Sequence, residues 1–135
     1  MVYNRASVWF HLYTAYERMI VEDMFPGADV HEAFRRNTDG PECPISRCYD
    51  ADDFLAMCRR AGLDGEFVGG YLSDHELAAL KRSWTRAIAD DRLDADHRDF
   101  LRGLRFDPEG HPMHGDYHAG IGGTYRLRAV GSSDR

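Results

Sequence analysis

The chain has 135 residues, enough for one domain around a single core and too few for a second. Hydrophobic residues make up 43% and charged residues 30%, while 23 acidic against 17 basic side chains leave a formal charge of -6. That balance argues against nonspecific attraction to nucleic acid or to an anionic membrane and favours a small or neutral partner. No window reaches 18 consecutive apolar residues, and the N-terminus carries no apolar block with a cleavage signature, so neither a membrane span nor a leader is expected. Cys43, Cys48 and Cys58 are odd in number, which argues against a disulfide framework. Cys43 and Cys48 have four residues between them and no second pair, a poor zinc pattern. A reducing cytoplasm is the expected compartment.

In chain order, the first element is a helix from about Ser7 to Val21. Trp9, Leu12, Tyr13, Tyr16, Met19 and Ile20 recur at steps of three or four and predict one broad packing face, which "FPGAD" ends. His11 and Tyr13 sit where the helix end reaches either a ligand pocket or ordinary aromatic packing. A short helix over Val30 to Arg36 precedes "NTDGPECPISRCYD", in which Gly40, Pro41 and Pro44 prevent regular structure. Its segment from Asn37 to Arg47 serves as a linker or as a binding loop, with Asn37, Asp39 and Arg47 as its polar groups.

Asp50 is placed to cap a helix whose inward residues are Phe54, Met57, Cys58 and Ala61, Gly62 to stop it, and "EFVGGYL" to follow as a strand. Ser73 and Glu76 have the spacing of a capping box, followed by Leu77, Leu80, Trp84 and Ile88 on one helix face. Capping and dipole effects account for Asp74 and Glu76 without paired-carboxylate catalysis. Asp94 caps a further helix with Phe100, Leu101 and Leu104; "FDPEG" turns the chain; "IGGTYRLRAV" reads as a final strand and "GSSDR" as a frayed tail.

The segment "HPMHGDYHAGIGG" carries His111, His114 and His118, which would converge on zinc if it were helical. Pro112, Gly115 and Gly120 argue against that helix, so no metal is expected, with His111 and His114 in a loop and Tyr117 and His118 near the start of the last strand. A neutral imidazole at His118 would accept a substrate proton or donate a hydrogen bond. No "HExxH" or "GxSxG" is present, and neither "GGY" nor "GIGGTY" leads into a helix as a phosphate-binding loop would.

The succession "CYDADDFLAMCRRAGLDGEFVGGYLS", then helices and "HAGIGGTYRL", resembles the C-terminal part of class I S-adenosylmethionine-dependent methyltransferases. The resemblance implies an α/β fold, an incomplete Rossmann-like C-terminal portion with several helices, in which a helix before "AGL" leads into the sixth strand and the seventh returns antiparallel to it. Tyr49 to Ser73 and Ala119 to Leu127 carry that match, and the similarity extends over Tyr3 to Leu127. It makes residues 1–130 a substrate-side module and 131–135 a flexible tail, the N-terminal helix an insertion near a methyl-acceptor pocket, and "NTDGPECPIS" a substrate-side loop.

The family's first strand, glycine-rich cofactor loop and acidic residue after the second strand have no counterpart, so no residue inherits a cofactor contact. The isolated chain is expected to hold no cofactor, and S-adenosylmethionine only when completed by an N-terminal domain or a partner. The resemblance thus points to a truncated transferase or an acceptor-binding module, with His11, Tyr13, Asn37, Asp39, Arg47, Tyr117 and His118 as substrate-binding candidates and no catalytic residue assigned. A cofactor-binding subunit, self-association through a sheet edge and a small-molecule acceptor are the expected partners. The alternatives are a noncatalytic protein-interaction domain and a small metal-dependent enzyme.

Overall fold

Helices set by local sequence alternate along the chain with short strands that long-range pairing assembles. A computed structural model describes residues 2–40, 42 and 46–131. The order is β1 (Val2–Asn4), a π-helix (Trp9–Val21), α1 (Val30–Thr38), β2 (Cys48–Tyr49), α2 (Ala51–Arg60), β3 (Leu63–Tyr71), α3 (Asp74–Ala89), α4 (Ala95–Arg102), β4 (Arg105–Phe106), β5 (Pro112–His114), β6 (Tyr117–His118) and β7 (Gly122–Ala129). The strands form two sheets, one of four strands in the order β2-β1-β7-β3 and one of three in the order β4-β5-β6. This is a mixed α/β fold.

β1 runs parallel to β2, and β7 lies between β1 and β3, antiparallel to both. The expected terminal pair is therefore present, with Leu63 opposite Ala129 and Tyr71 opposite Gly122, interrupted by a bulge between Phe67 and Gly69. Close backbone approach explains part of the glycine content of this region. A Cβ at Gly120 would stand 2.1 Å from the Tyr71 carbonyl oxygen, and one at Gly70 would stand 2.3 Å from that of His118. Only hydrogen fits there.

The first helix departs from expectation in both winding and face. Its closing bonds are of the i to i+5 type, the Glu22 amide donating to the Glu17 carbonyl at 3.0 Å. Phe10, Leu12, Thr14, Ala15, Tyr16 and Glu17 are buried, whereas Trp9, Tyr13, Met19 and Ile20 of the expected stripe are only partly so. A helix covered by α1, α3 and α4 together needs more than one apolar stripe, which the 3.6-residue period does not describe. Most of the larger core lies here, with Val8, Leu12 and Tyr16 against Ala79, Ala87, Leu93 and Leu101. A smaller cluster of Phe10, Phe34 and Cys48 joins the π-helix and α1 to β2.

Other corrections concern faces and strands. In α2 Cys58 is buried, but Met57 and Ala61 are exposed. In α3 the deepest residues are Glu76, Ala79, Ser83 and Ala87, with Leu77, Leu80, Trp84 and Ile88 half-buried beside them. Small side chains let α3 approach the π-helix closely. His114 lies on β5 rather than in a loop, and Tyr117 and His118 form β6 in the second sheet rather than the start of β7. The first described helix after the π-helix runs two residues beyond its expected end, to Thr38, and its Asp29 cap accepts from the Glu32 amide at 2.8 Å. Cys43, Pro41 and Pro44 in the expected binding loop, and residues 132–135 of the expected tail, fall outside the described residues.

The Ser73–Glu76 capping box forms as expected, but Glu76 does more than cap. Its Oε1 accepts from the Ser73 amide (3.0 Å), the Ser73 hydroxyl (2.9 Å) and the Ile121 amide (3.1 Å), and its Oε2 from the Trp9 amide (3.0 Å). The side chain is fully buried. Burial pushes its carboxyl up, against the pull of the bonds from Ser73, Ile121 and Trp9. Glu76→Ala leaves those donors without an acceptor and is expected to cost about 3–5 kcal/mol in urea denaturation. Glu76→Gln, which keeps one carbonyl oxygen, should lose less; a loss equal to that of Ala would show that the Oε1 bonds contribute little.

Candidate functional site

β1 and β2 end side by side, and in open sheets with parallel strands ligands sit outside the carboxyl ends of those strands. Asn4 passes there into Arg5, and Tyr49 into Asp50. Three adjoining depressions meet at these residues. One of about 450 Å³ is lined by Arg5, His11, His31, Asp50, His97 and His114 among others. A second, of about 390 Å³, shares Ala6, Asp50 and His114 with it and adds Tyr117 and His118. The third, of about 720 Å³, lies on the other side of Arg5 and includes Arg35, Arg47, Arg60 and Met57. Each volume falls within the range of small-molecule sites.

Asn4 holds the floor of the cleft in place. It is buried, its Nδ2 donating to the carbonyls of Ala6 (3.1 Å) and Gly120 (3.0 Å) while its Oδ1 accepts from the Ala6 amide at 3.3 Å. Arg5 then projects between two of the depressions. Its Nη1 donates to Asp50 Oδ2 and its Nη2 to the Cys48 carbonyl, both at 3.4 Å, while its buried Nε has no hydrogen-bond partner among the described residues. Both bonds are long, and Nη1 and Nη2 each keep a second N–H for an incoming oxygen.

The cleft wall is aromatic. His11 of the π-helix stacks on Phe100 of α4, with centroids 3.9 Å apart, and meets Phe10 edge-on at 4.9 Å. Its Nδ1 is 2.8 Å from Nδ1 of His97, so one imidazole donates and the other accepts. Burial pushes His11 down to about 2, with further lowering from His97, His114 and Arg5. Burial also lowers His97, against the opposing influence of Asp94 and Asp96. The pair is therefore neutral near pH 7. With its basicity so reduced, His11 is suited to holding a hydrogen bond rather than to taking a proton from substrate.

Of the other expected site residues, Arg47 lines the largest depression, and Tyr117 and His118 line the second. The Tyr117 ring packs edge-on to Phe67 at 4.9 Å, and His118 Nε2 lies 3.0 Å from Asp107 Oδ2. Tyr13, Asn37 and Asp39 are not brought to the cleft. Tyr13 packs between Trp9 and His75, at 4.7 and 4.2 Å. Asn37 joins the π-helix to α1, accepting from Arg18 Nε at 2.9 Å and donating to Thr14 Oγ1 at 3.5 Å. Asp39 accepts from the Tyr3 hydroxyl at 2.8 Å and from the Ser46 hydroxyl. Sequence reasoning missed Arg5, Asp50 as a cleft residue, His31 and His97. His97 had a signal: it precedes Leu101 and Leu104 by four and seven residues, on the inward face of its helix.

Comparison of the chain with family models, with curated proteins and with solved structures gave no match. Among the described residues, no helix is long and apolar enough to cross a membrane, and Cys48 and Cys58 are free and buried.

The histidine pair makes stability depend on pH in a defined direction. Both folded-state values lie below the ordinary 6.5, so on acidification the unfolded chain takes up these protons first. The stability is present above about pH 6.5 and is lost below it, by at most about 1.4 kcal/mol per pH unit for each imidazole. Urea midpoints should fall between pH 7 and pH 5, and His11→Gln should flatten that dependence while lowering the midpoint at pH 7. An unchanged slope in the variant would remove His11 as its source.

Proposed function

We propose that the chain is an acceptor-binding module of a transferase resembling class I methyltransferases, whose S-adenosylmethionine-binding half is supplied in cis or in trans. The observation that carries this reading is the cleft at the carboxyl ends of the parallel pair β1 and β2, where Arg5 has donors to spare beside an enclosed neutral imidazole pair. The antiparallel pair β3 and β7 accords with the last two strands that the resemblance implies, and a Rossmann-like remnant is the finer fold proposed from it. The chain's own strand-to-helix connections after β1, β2 and β3, residues 5–8, 50 and 72–73, contain no glycine. A phosphate- or ribose-cradling turn of the Rossmann kind needs glycine at that point, so cofactor binding is assigned to the other half.

In this reading Arg5 grips a carboxylate, phenolate or carbonyl oxygen of the acceptor, the imidazole of His11 and the ring of Phe100 hold its flat face, and Tyr117 and His118 form the rim. The purified chain should show no saturable binding of S-adenosylmethionine in calorimetry. Joined to a cofactor-binding half, Arg5→Ala should raise the acceptor KM at least tenfold while leaving cofactor affinity unchanged. Stoichiometric cofactor binding with turnover by the chain alone contradicts the assignment.

A second reading, protein interaction, draws on the open sheet. β3 is an outer strand, and Tyr71, Val68, Leu127 and Val130 are exposed on or next to it. Exposed edges of this kind pair with other chains. Sedimentation velocity should then show a concentration-dependent dimer that Val68→Lys shifts toward monomer; a monomer at every concentration removes this reading.

A further inference from the structure

We propose that Asp107, His111 and His118 form a binding site for a zinc-like divalent transition-metal ion, with two imidazoles and one carboxylate as ligands. Their ligand atoms all lie within 4.8 Å of one another. The site goes beyond the acceptor cleft and stands whether or not that assignment holds.

The turn from Asp107 to His111 sets the carboxylate in place before any ion arrives. Asp107 Oδ1 accepts from the amides of Glu109 and His111, both at 2.9 Å. The backbone closes around it, with the Asp107 amide donating to the His111 carbonyl at 3.0 Å and the Gly110 amide to the Asp107 carbonyl at 2.9 Å. Gly110 permits this by adopting a φ of 82°. One oxygen is thus committed to the turn, and Oδ2 is left facing the two imidazoles.

The hairpin of β5 and β6 supplies the second imidazole. Pairing of Met113 with His118, and of His114 with Tyr117, folds His118 back beside His111. His118 Nε2 then lies 3.0 Å from Asp107 Oδ2, and His111 Nδ1 lies 3.7 Å from the same oxygen. Ligands about 2.05 Å from a tetrahedral zinc are separated by roughly 3.3 Å, between those two distances. An ordinary ion pair accounts for one imidazole on the carboxylate; two directed at one oxygen make a ligand set. His114 is not a member, for its ring packs on Phe100 at 4.8 Å.

The chemistry selects the ion. Imidazole nitrogen suits zinc, copper, nickel and iron, while magnesium and calcium prefer all-oxygen shells. The three side chains are between 22% and 41% exposed, which gives an ion a path in and leaves a coordination position to solvent. Glu109 Oε2, 3.7 Å from His111 Nδ1, stands next to that position.

Cobalt(II) titration of the purified full chain, followed by visible absorption and displaced by zinc, tests the site. One equivalent should bind, with at least a tenfold loss of affinity in His111→Ala and in His118→Ala and no change in His75→Ala. In the unsubstituted chain, zinc should shift the imidazole resonances of His111 and His118 selectively, a readout that depends on no variant. Absence of a cobalt spectrum, affinity unchanged in both ligand variants, or zinc-induced shifts centred on other histidines would overturn the proposal.

Discussion

A single buried carboxylate ties together the parts of this molecule that do not touch in sequence. Glu76 stands at the start of α3, yet its oxygens also take the first amide of the π-helix and the amide of Ile121 ahead of β7. Two helix N-termini present positive dipole ends to one negative group, and a strand entry is fixed by the same side chain. The capping box alone would need only Ser73. The additional bonds place β7 so that it lies between β1 and β3, and they set the π-helix on the helical core. The cleft inherits its geometry from that placement, since Asn4 is anchored to the Gly120 carbonyl immediately before Ile121.

A second buried acid does comparable work one turn of packing away. Glu17 of the π-helix accepts from Arg82 through Nε and Nη2, at 3.1 and 2.8 Å, and from the Ser83 hydroxyl at 3.0 Å. The wider winding brings Glu17 into the interior directly after Thr14, Ala15 and Tyr16, a run that an ordinary amphipathic helix would have turned partly to solvent. Helix widening of this kind is frequent at functional sites. Here it coincides with the enclosure of His11, one turn nearer the cleft.

The parts of the fold legible in the sequence are those determined within a few residues. Gly62, Ser73 and Glu76 bound α2, β3 and α3 through local turn and capping geometry, and the β3–β7 pair followed from composition and the family resemblance; Asp50 stands at the N-cap position of α2 but makes no side-chain cap, its carboxylate meeting Arg5 instead. β1 and β2 were not legible because segments of three and two residues become strands only through partners far along the chain. The same limit applies to the site. Of the residues read as candidates, His11, Arg47, Tyr117 and His118 line the depressions, whereas Tyr13, Asn37 and Asp39 belong to links between elements. Helical spacing does not account for the closeness of His111 and His118; it arises from the pairing of β5 with β6, while the tight turn from Asp107 to His111 adds the carboxylate.

The position of β7 also has a consequence for the order in which a growing chain folds. The ribosome releases β1 first and β7 last, yet β7 is the strand that joins β1 to β3. Helices formed by local contacts are available early, while the four-stranded sheet waits for the pairing of Val2 with Gly123, far apart along the chain. Until then β1 and β3 have unsatisfied edges, and the four-stranded sheet is open where β7 will lie. Synthesis of β7 is therefore the step that joins two separately held strands into one continuous sheet.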